Sequence, residues 1–180
     1  MQKYVLKWQI LGIIFIFIIG NILHFLFEWS GYFYPIGAIA AVNESVWEHL
    51  KLGFWPLIFF APIEYKFVKE KINNFTLAKT IAAFIIPIFI VVVFYSYTAI
   101  LRIELLIVDI LIFLIAIVIA QFVSYKILIL NQFPKYISKI ALIAIIFLAS
   151  LYVVFTYYPP HLPIFQDSQT GLYGITAHTY

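Results

Sequence analysis

Uninterrupted apolar runs constrain the fold of this chain more than any other feature of its sequence. A helix needs about 20 mainly apolar residues to cross the hydrocarbon core of a bilayer. Four runs reach or approach that length, at residues 10–27, 81–101, 103–123 and 137–158. A fifth run, 52–63, lies between Lys51 and Glu64 and can span only if charged residues enter the membrane. The second helix is therefore predicted to differ from the others.

The composition indicates that lipid, rather than water, is the solvent for most of the surface. Of the 180 residues, 65% are hydrophobic and 11% are charged, whereas a soluble domain carries about 25% charged residues. The predicted fold is all-α, a single polytopic transmembrane helical bundle over residues 1–180. The five predicted spans are 8–28, 46–68, 79–101, 103–124 and 137–158. Residues 31–42, a short apolar stretch with Pro35 and two glycines, are predicted to form a re-entrant or an interfacial segment.

The distribution of lysine predicts the orientation of the bundle. With the N-terminus inside, the outer segments hold only Lys51 and Arg102. The inner segments hold nine lysines: Lys3, Lys7, Lys66, Lys69, Lys71, Lys79, Lys126, Lys135 and Lys139. Cytoplasmic loops carry this kind of excess, so we expect a protein of the cell (inner) membrane with a cytoplasmic N-terminus. Residues 159–180, rich in turn formers, are then expected to be an irregular extracytoplasmic cap.

Several classes of site lack support in this sequence. The chain has no cysteine, which excludes disulfides, thiolate metal ligands and cysteine nucleophiles. The H-E-x-x-H, E-x-x-H, G-x-S-x-G, P-loop and G-x-G-x-x-G patterns are missing as well, so zincin, di-iron, serine-hydrolase and nucleotide-binding functions are not indicated. The basic residues follow the topology, so no nucleic-acid partner is expected. The expected partners are the lipid bilayer and either a second copy of the chain or a partner membrane subunit.

Polar residues in the first predicted span indicate a site near its outer end. Asn21, His24 and Glu28 recur at the spacing of one helical face. His24 and Glu28 stand one turn apart, the spacing by which a helix presents two ligands to one metal. Asp109 lies at a similar depth in the fourth span. Ionisable groups at this depth usually face the bundle interior and find partners there, although a histidine hydrogen-bonded to a neighbouring helix would also account for His24.

A second polar cluster, residues 43–51, reads Asn-Glu-Ser-Val-Trp-Glu-His-Leu-Lys. Helix capping explains part of it, because Ser45 and Glu48 have the spacing of a capping box. Lys51 can pair with either acid of the cluster. Capping does not explain His49, so the cluster also supplies a second candidate ligand.

Together these residues form a hypothetical site that opens to the outer face. The candidate metal ligands are His24, Glu28, Glu44 and His49; Glu48 is the candidate general base, and Asp109 is the candidate group that orients a histidine. Two histidines with two or three carboxylates suit zinc, or a transition metal such as iron or manganese. The same groups suit a proton relay or an acid–base pair without a metal.

Four stretches of the chain resemble one protein family. They are residues 23–31, 41–51, 64–65 and 165–174. They are similar to a family of small prokaryotic multi-pass membrane proteins that carries only a domain-of-unknown-function label, with the Asn-Glu-Ser-Val-Trp-Glu-His-Leu-Lys box as the most specific part. The resemblance covers nearly the whole chain and implies no particular reaction.

Three functions remain open from the sequence. The leading hypothesis is a membrane-embedded enzyme, such as a metal-dependent hydrolase or an acid–base catalyst, acting on a lipid or another amphipathic substrate. The second is a small transporter or substrate-binding subunit, because the second helix is short and contains two prolines, and discontinuous helices often line substrate paths. The third is a structural or assembly subunit, in which the polar residues only join the helices.

Overall fold

A computed structural model describes residues 2–175, and this part of the chain contains five α-helices and no β-strand. The helices are α1 (Gln2–Trp29), α2 (Val46–Val68), α3 (Phe75–Leu101), α4 (Leu106–Leu128) and α5 (Lys135–Tyr157). Short 3₁₀ turns lie in the connections at Tyr34–Ala38, Lys69–Lys71 and Pro163–Phe165. The prediction of an all-helical chain is confirmed. One of the four histidines, His178, lies outside the described residues.

Four of the helices, α1, α3, α4 and α5, are long and apolar enough to cross a membrane. The helix α2 is not among them, because it carries Glu48, Lys51 and Glu64 in its interior. With 23 residues, it is nevertheless about 35 Å long. All three charged side chains are buried. The helix therefore presents these three charges to the rest of the bundle, whereas Lys66 in its last turn is exposed.

Local signals explain where the helices begin and end. The side chain of Ser45 caps α2 by accepting a hydrogen bond from the backbone N–H of Glu48 at 3.4 Å, as the capping-box spacing predicts. The α3 helix ends where Arg102 adopts a left-handed backbone with φ of 55° and donates its N–H to the carbonyl of Thr98. This turn delays the start of α4 to Leu106, later than the start at 103 expected from the apolar run.

The second helix is continuous. Pro56 and Pro62 both lie inside α2, and the helix extends unbroken over Val46–Val68. Packing against neighbouring helices allows a transmembrane-type helix to tolerate such prolines. A discontinuous second helix was the feature that favoured a transporter, and the structure does not contain that break.

The core contains large side chains from all five helices. Among the fully buried ones are Ile16 of α1, Phe54 of α2, Ile86 of α3, Ile117 of α4 and Tyr152 of α5. Lipid tails are as apolar as these side chains, so close packing between helices holds such a bundle together. The α5 helix is more peripheral and packs against α3 and the turn at Tyr34–Ala38.

A glycine brings α1 and α2 close together beside the candidate site. A Cβ atom added at Gly20 would lie 2.6 Å from the carbonyl oxygen of Leu52, so only glycine allows this backbone approach. His24 lies one helical turn further along α1. The close approach therefore places His24 against the start of α2.

The two ends of the bundle differ in chemistry. One end contains the connections 30–45, 102–105 and 158–175; it is called the histidine end here because it carries His24 and His49. The other contains the connections 69–74 and 129–134 and is called the lysine end, after the nine lysines counted above. This separation reproduces the charge asymmetry from which the orientation was predicted.

Two irregular segments cover the histidine end. The segment before α2 folds back over it, and Lys51 Nζ donates a hydrogen bond to the carbonyl of Gly37 at 2.7 Å. Residues 159–175 form turns on the other side, where the ring of Phe165 packs against Trp47 with 4.8 Å between centroids. Both segments are thus held to the N-terminal part of α2, where the candidate site lies.

Candidate metal centre

Two histidines and one glutamate meet at the histidine end. His24 comes from α1, His49 from the first turn of α2, and Glu44 from the connection before α2. The ring centroids of the two histidines are 5.0 Å apart. One ligand atom from each of the three residues lies within 4.8 Å of the others. Small side-chain rotations would bring these atoms to the distances found around a single metal ion.

A backbone carbonyl fixes the orientation of His49. Its Nδ1 atom lies 2.8 Å from the carbonyl oxygen of Ser45. A carbonyl can only accept a hydrogen bond, so Nδ1 carries a proton and donates it. The other ring nitrogen, Nε2, then faces Oε2 of Glu44 at 3.4 Å. Histidines that bind metals typically donate their second ring N–H to a carbonyl or carboxylate in this way.

The pair formed by His49 Nε2 and the Glu44 carboxylate requires a positive charge. In a neutral imidazole whose Nδ1 is protonated, Nε2 has only a lone pair, and an ionised carboxylate has only acceptors. Two acceptors that face each other at 3.4 Å repel, unless a proton on Nε2 or a metal ion joins them. The pair is therefore either an ion pair between a doubly protonated His49 and the Glu44 carboxylate, or a position in which a metal ion replaces the proton on Nε2.

The carboxyl group of Glu44 is in the form that metals bind. Its pKa lies below the ordinary value, chiefly because the hydrogen bond from His49 favours the carboxylate; partial burial acts in the opposite direction and is outweighed. Metal binding requires deprotonated carboxylates and neutral imidazoles. Glu44 therefore needs no further ionisation to act as a ligand.

The ring of His24 has an unsatisfied nitrogen. Its Nδ1 atom is buried and has no hydrogen-bond partner within residues 2–175. A buried polar atom without a partner costs about 1–3 kcal/mol. The ring also contacts the ring of Phe25 at 4.6 Å between centroids. A metal ion or a water molecule bound to this nitrogen would remove the cost.

The C-terminal segment holds the connection that carries Glu44. Ser168 Oγ donates to the carbonyl oxygen of Glu44 at 3.2 Å, and the side-chain amide of Asn43 donates to the carbonyl of Gly174 at 2.9 Å. The other side-chain atom of Asn43, Oδ1, accepts the N–H of Ser45 at 2.9 Å. These bonds fix the backbone on both sides of Glu44. Contacts between distant parts of the chain, rather than a helix, therefore place this carboxylate.

Glu48, the predicted general base, lies in a separate network. Its carboxylate is 2.5 Å from Lys51 Nζ, and it accepts hydrogen bonds from Thr156 Oγ1 at 2.9 Å and from the N–H of Val42 at 3.1 Å. Only 2% of Glu48 is exposed. The three donors come from α2, α5 and the segment before α2. This arrangement favours a structural role for Glu48 over proton transfer.

Asp109 and Glu28, which were also predicted to belong to the site, lie apart from the histidines. Tyr97 Oη donates to Oδ1 of Asp109 at 2.6 Å, so this carboxylate joins α4 to α3 and does not orient a histidine. The side chain of Glu28 is exposed. Of the six predicted site residues, the structure brings three together, and the three that it leaves outside the group are Glu28, Glu48 and Asp109.

Comparison with known proteins places the chain in a family. The profile of a family described as "Family of unknown function (DUF6512)" matches residues 1–175. The chain belongs to this family. The resemblance to a domain-of-unknown-function family is thereby confirmed, while no curated protein and no solved structure gives a significant match. The description of DUF6512 names no activity.

This DUF6512 chain has a second polar cluster, inside the lysine end, which sequence reasoning missed. Lys79 Nζ lies 2.6 Å from Oε2 of Glu64 and donates to the side-chain oxygens of Gln9 and Gln121 at 3.2 and 3.4 Å. All four side chains are buried. The sequence predicts Lys79 as the first residue of the span 79–101, but α3 begins one turn earlier, at Phe75, and carries Lys79 into the bundle. Glutamine within an otherwise apolar run is the sequence signal that could have indicated the cluster.

Proposed function

We propose that His24, Glu44 and His49 bind one divalent metal ion, and that the protein is a membrane-embedded metal-dependent enzyme. The observation that carries the proposal is the pair in which His49 Nε2 faces the Glu44 carboxylate at 3.4 Å while the other ring nitrogen is held by the backbone. Two imidazoles and a carboxylate suit zinc, or iron or manganese.

Three protein ligands are the number found in catalytic zinc sites, which keep a fourth position for water or substrate. An ion in such a site acts as a Lewis acid and lowers the pKa of bound water. The side chains of His49 and Glu44 are 36% and 37% exposed, so a substrate could reach the ion. Hydrolysis is the reaction class that this arrangement supports best.

Apolar surface beside the site favours an amphipathic substrate. Phe25 and Trp29, which follow His24 on α1, are 46% and 66% exposed. In a bilayer these side chains would face lipid. A substrate with an apolar chain could lie along this surface of α1 and present its polar group to the ion. We therefore propose a lipid or a similarly amphipathic molecule as the substrate.

Metal analysis of the purified protein tests this site. The wild-type chain is expected to retain one divalent ion per molecule, and His24→Ala and His49→Ala are expected to lose it. The control is His161→Ala, because the His161 ring packs against Tyr173 outside the group. Stoichiometric metal that survives both substitutions would reject the proposal. So would the absence of metal from every sample after incubation with zinc, iron and manganese salts.

The proposal also includes five spans, with the lysine end in the cytoplasm. The chain has no cysteine, so single cysteines can report on each end without a background. In intact cells, a membrane-impermeant maleimide should label Ser168→Cys, whereas Lys3→Cys should react only after permeabilisation. Labelling of Lys3→Cys in intact cells would show that the orientation is reversed.

A structural subunit is the second candidate, because buried networks join the helices at both ends. Lys51 links α2 to Thr156 of α5 at 2.8 Å, and Lys79 links α3 to Glu64 of α2 at 2.6 Å. In a purely structural protein, His24→Ala would lower the unfolding temperature and would remove no bound ion. Measuring metal content and unfolding temperature on the same samples separates the two functions.

A further inference from the structure

A cleft of about 500 Å³ opens at the lysine end, away from the histidines. Its walls come from the end of α2, the start of α3, the start of α5 and the connections between them. Its polar lining includes Lys69, Thr76, Gln132 and Ser138, and no acidic side chain lines it. The cleft is therefore suited to an anionic ligand.

The walls of the cleft are held in place by two asparagines. Asn73 donates its side-chain amide to the carbonyl of Leu130 at 2.9 Å. Asn74 donates to the carbonyl of Asn131 at 3.0 Å and accepts the N–H of Phe133 at 2.8 Å. These bonds join the connection before α3 to the connection before α5. The cleft is thus formed before any ligand arrives, which lowers the entropic cost of binding.

The remaining polar side chains of the lining are available to a ligand. Within the described part of the chain, no hydrogen bond or ion pair is made by Lys69 Nζ, by the hydroxyls of Thr76 and Ser138 or by the amide of Gln132. All four can donate hydrogen bonds, and the ammonium group adds a positive charge. Four such donors around one cavity match the several acceptor oxygens of a phosphate group.

The surface around the cleft is also positively charged. Lys66, Lys71, Lys135 and Lys139 are exposed at this end. Two acids also belong to this end: Glu64 is buried against Lys79, and Glu70, which is exposed, does not line the cleft. The summed potential of the lysines would concentrate anions near the opening.

The position of the cleft indicates where the phosphate comes from. In the membrane arrangement proposed above, the lysine end lies at the level of the lipid headgroups. Tyr65, which lines the cleft, is 47% exposed, and Tyr136, at the start of α5, is 62% exposed. Tyrosines occupy this level of the bilayer, and basic pockets between transmembrane helices bind anionic headgroups. We propose that this cleft binds the phosphate of an anionic phospholipid headgroup.

Lipid binding to the detergent-purified full chain tests the proposal. Native mass spectrometry would compare retention of phosphatidylglycerol with retention of zwitterionic phosphatidylcholine. The chain is expected to retain phosphatidylglycerol preferentially. Loss of one charged hydrogen-bond donor in Lys69→Gln should weaken that retention about tenfold. The matched control is Lys126→Gln, which removes the same charge from the same end; Lys126 contacts the ring of Phe122 and does not line the cleft.

Three results would overturn the proposal. Equal retention of both lipids would show that the headgroup charge is not recognised. Equal weakening by Lys69→Gln and Lys126→Gln would show that the lysines attract lipid only through their summed charge. Retention of inorganic phosphate by the chain at millimolar concentration, without any retention of phosphatidylglycerol, would show that the cleft takes a free phosphate compound instead of a lipid. Because none of these measurements involves the histidine end, their outcome is independent of the metal analysis.

Discussion

Lys79 of α3 and Glu64 of α2 form an ion pair in the interior of the bundle, with 2.6 Å between Nζ and Oε2. The two side chains are 3% and 0% exposed, and the amide of Gln9 donates a hydrogen bond to the same carboxylate. A buried ion pair adds little net stability compared with apolar residues of similar size, but removing one partner leaves a buried charge without compensation. This asymmetry gives the pair a testable signature.

The substitution Lys79→Met should destabilise the protein by roughly 3–5 kcal/mol, because it leaves the Glu64 carboxylate unpaired. The double substitution Lys79→Met with Glu64→Gln removes both charges and should recover most of the loss. Unfolding in detergent, followed by circular dichroism, measures both effects. The control Lys126→Met alters an exposed lysine and should change little. A double variant as unstable as the single one would contradict the explanation.

Glu48 is expected to affect stability and to leave metal binding unchanged. In Glu48→Gln, the ammonium group of Lys51, which is 0% exposed, would lose its charged partner, and the unfolding free energy should fall by about 3 kcal/mol. Metal content should stay at the wild-type level, because the carboxylate is not part of the histidine group. Glu28→Gln, at an exposed position, is the matched control and should change neither quantity. If Glu48→Gln lowered metal content at normal stability, Glu48 would belong to the site after all.

Gly12 is expected to tolerate no side chain. A Cβ atom at this position would lie 2.1 Å from Nε2 of Gln121 and 2.9 Å from the ring of Phe60. Gln121 is fully buried, and moving its amide group would disturb the hydrogen bond that its oxygen accepts from Lys79, so we expect this overpacking to cost about 1–3 kcal/mol. Thermal unfolding of Gly12→Ala should show this loss. Gln121→Ala in the same chain should relieve part of it, and a purely additive double variant would argue against the clash.

Metal retention should decrease as the pH is lowered through the mildly acidic range in which histidines take up protons. Glu44 should not set the midpoint: because its pKa is lowered, its carboxylate stays ionised at a pH below that range, and its contribution is lost only as the pH falls further. Equilibrium dialysis against zinc at graded pH measures the midpoint. The control Glu28→Gln should leave the curve unchanged, whereas a pH-independent metal content would count against imidazole ligands.

The sequence was sufficient to predict the helices, but it was not sufficient to predict which polar residues come together in the fold. Apolar runs predicted α1, α3, α4 and α5, because a helix satisfies every backbone group within its own segment in an apolar environment. Ser45 predicted the start of α2, because capping depends on neighbours three residues apart. Contacts of this local kind can be read from spacing alone.

The candidate site shows where prediction from residue spacing fails. His24 and Glu28 have the spacing of two ligands on one helix, yet Glu28 is exposed, and Glu44 from a connection stands beside His24 and His49 instead. Glu44 is placed by a hydrogen bond from Ser168, more than a hundred residues away in the chain. No periodicity within a helix contains information about such a contact.

Sequence alone therefore determined that the chain is helical, that most of its surface is apolar, and that nine lysines lie toward one end while His24 and His49 lie toward the other. Only the tertiary structure decided which charged groups contact each other. Glu48 binds Lys51 and Thr156, and Glu64 binds Lys79. Glu44 lies beside the histidines. The physical reason is that a buried charge takes the partner that packing brings within about 3 Å, and packing depends on residues that are distant along the chain.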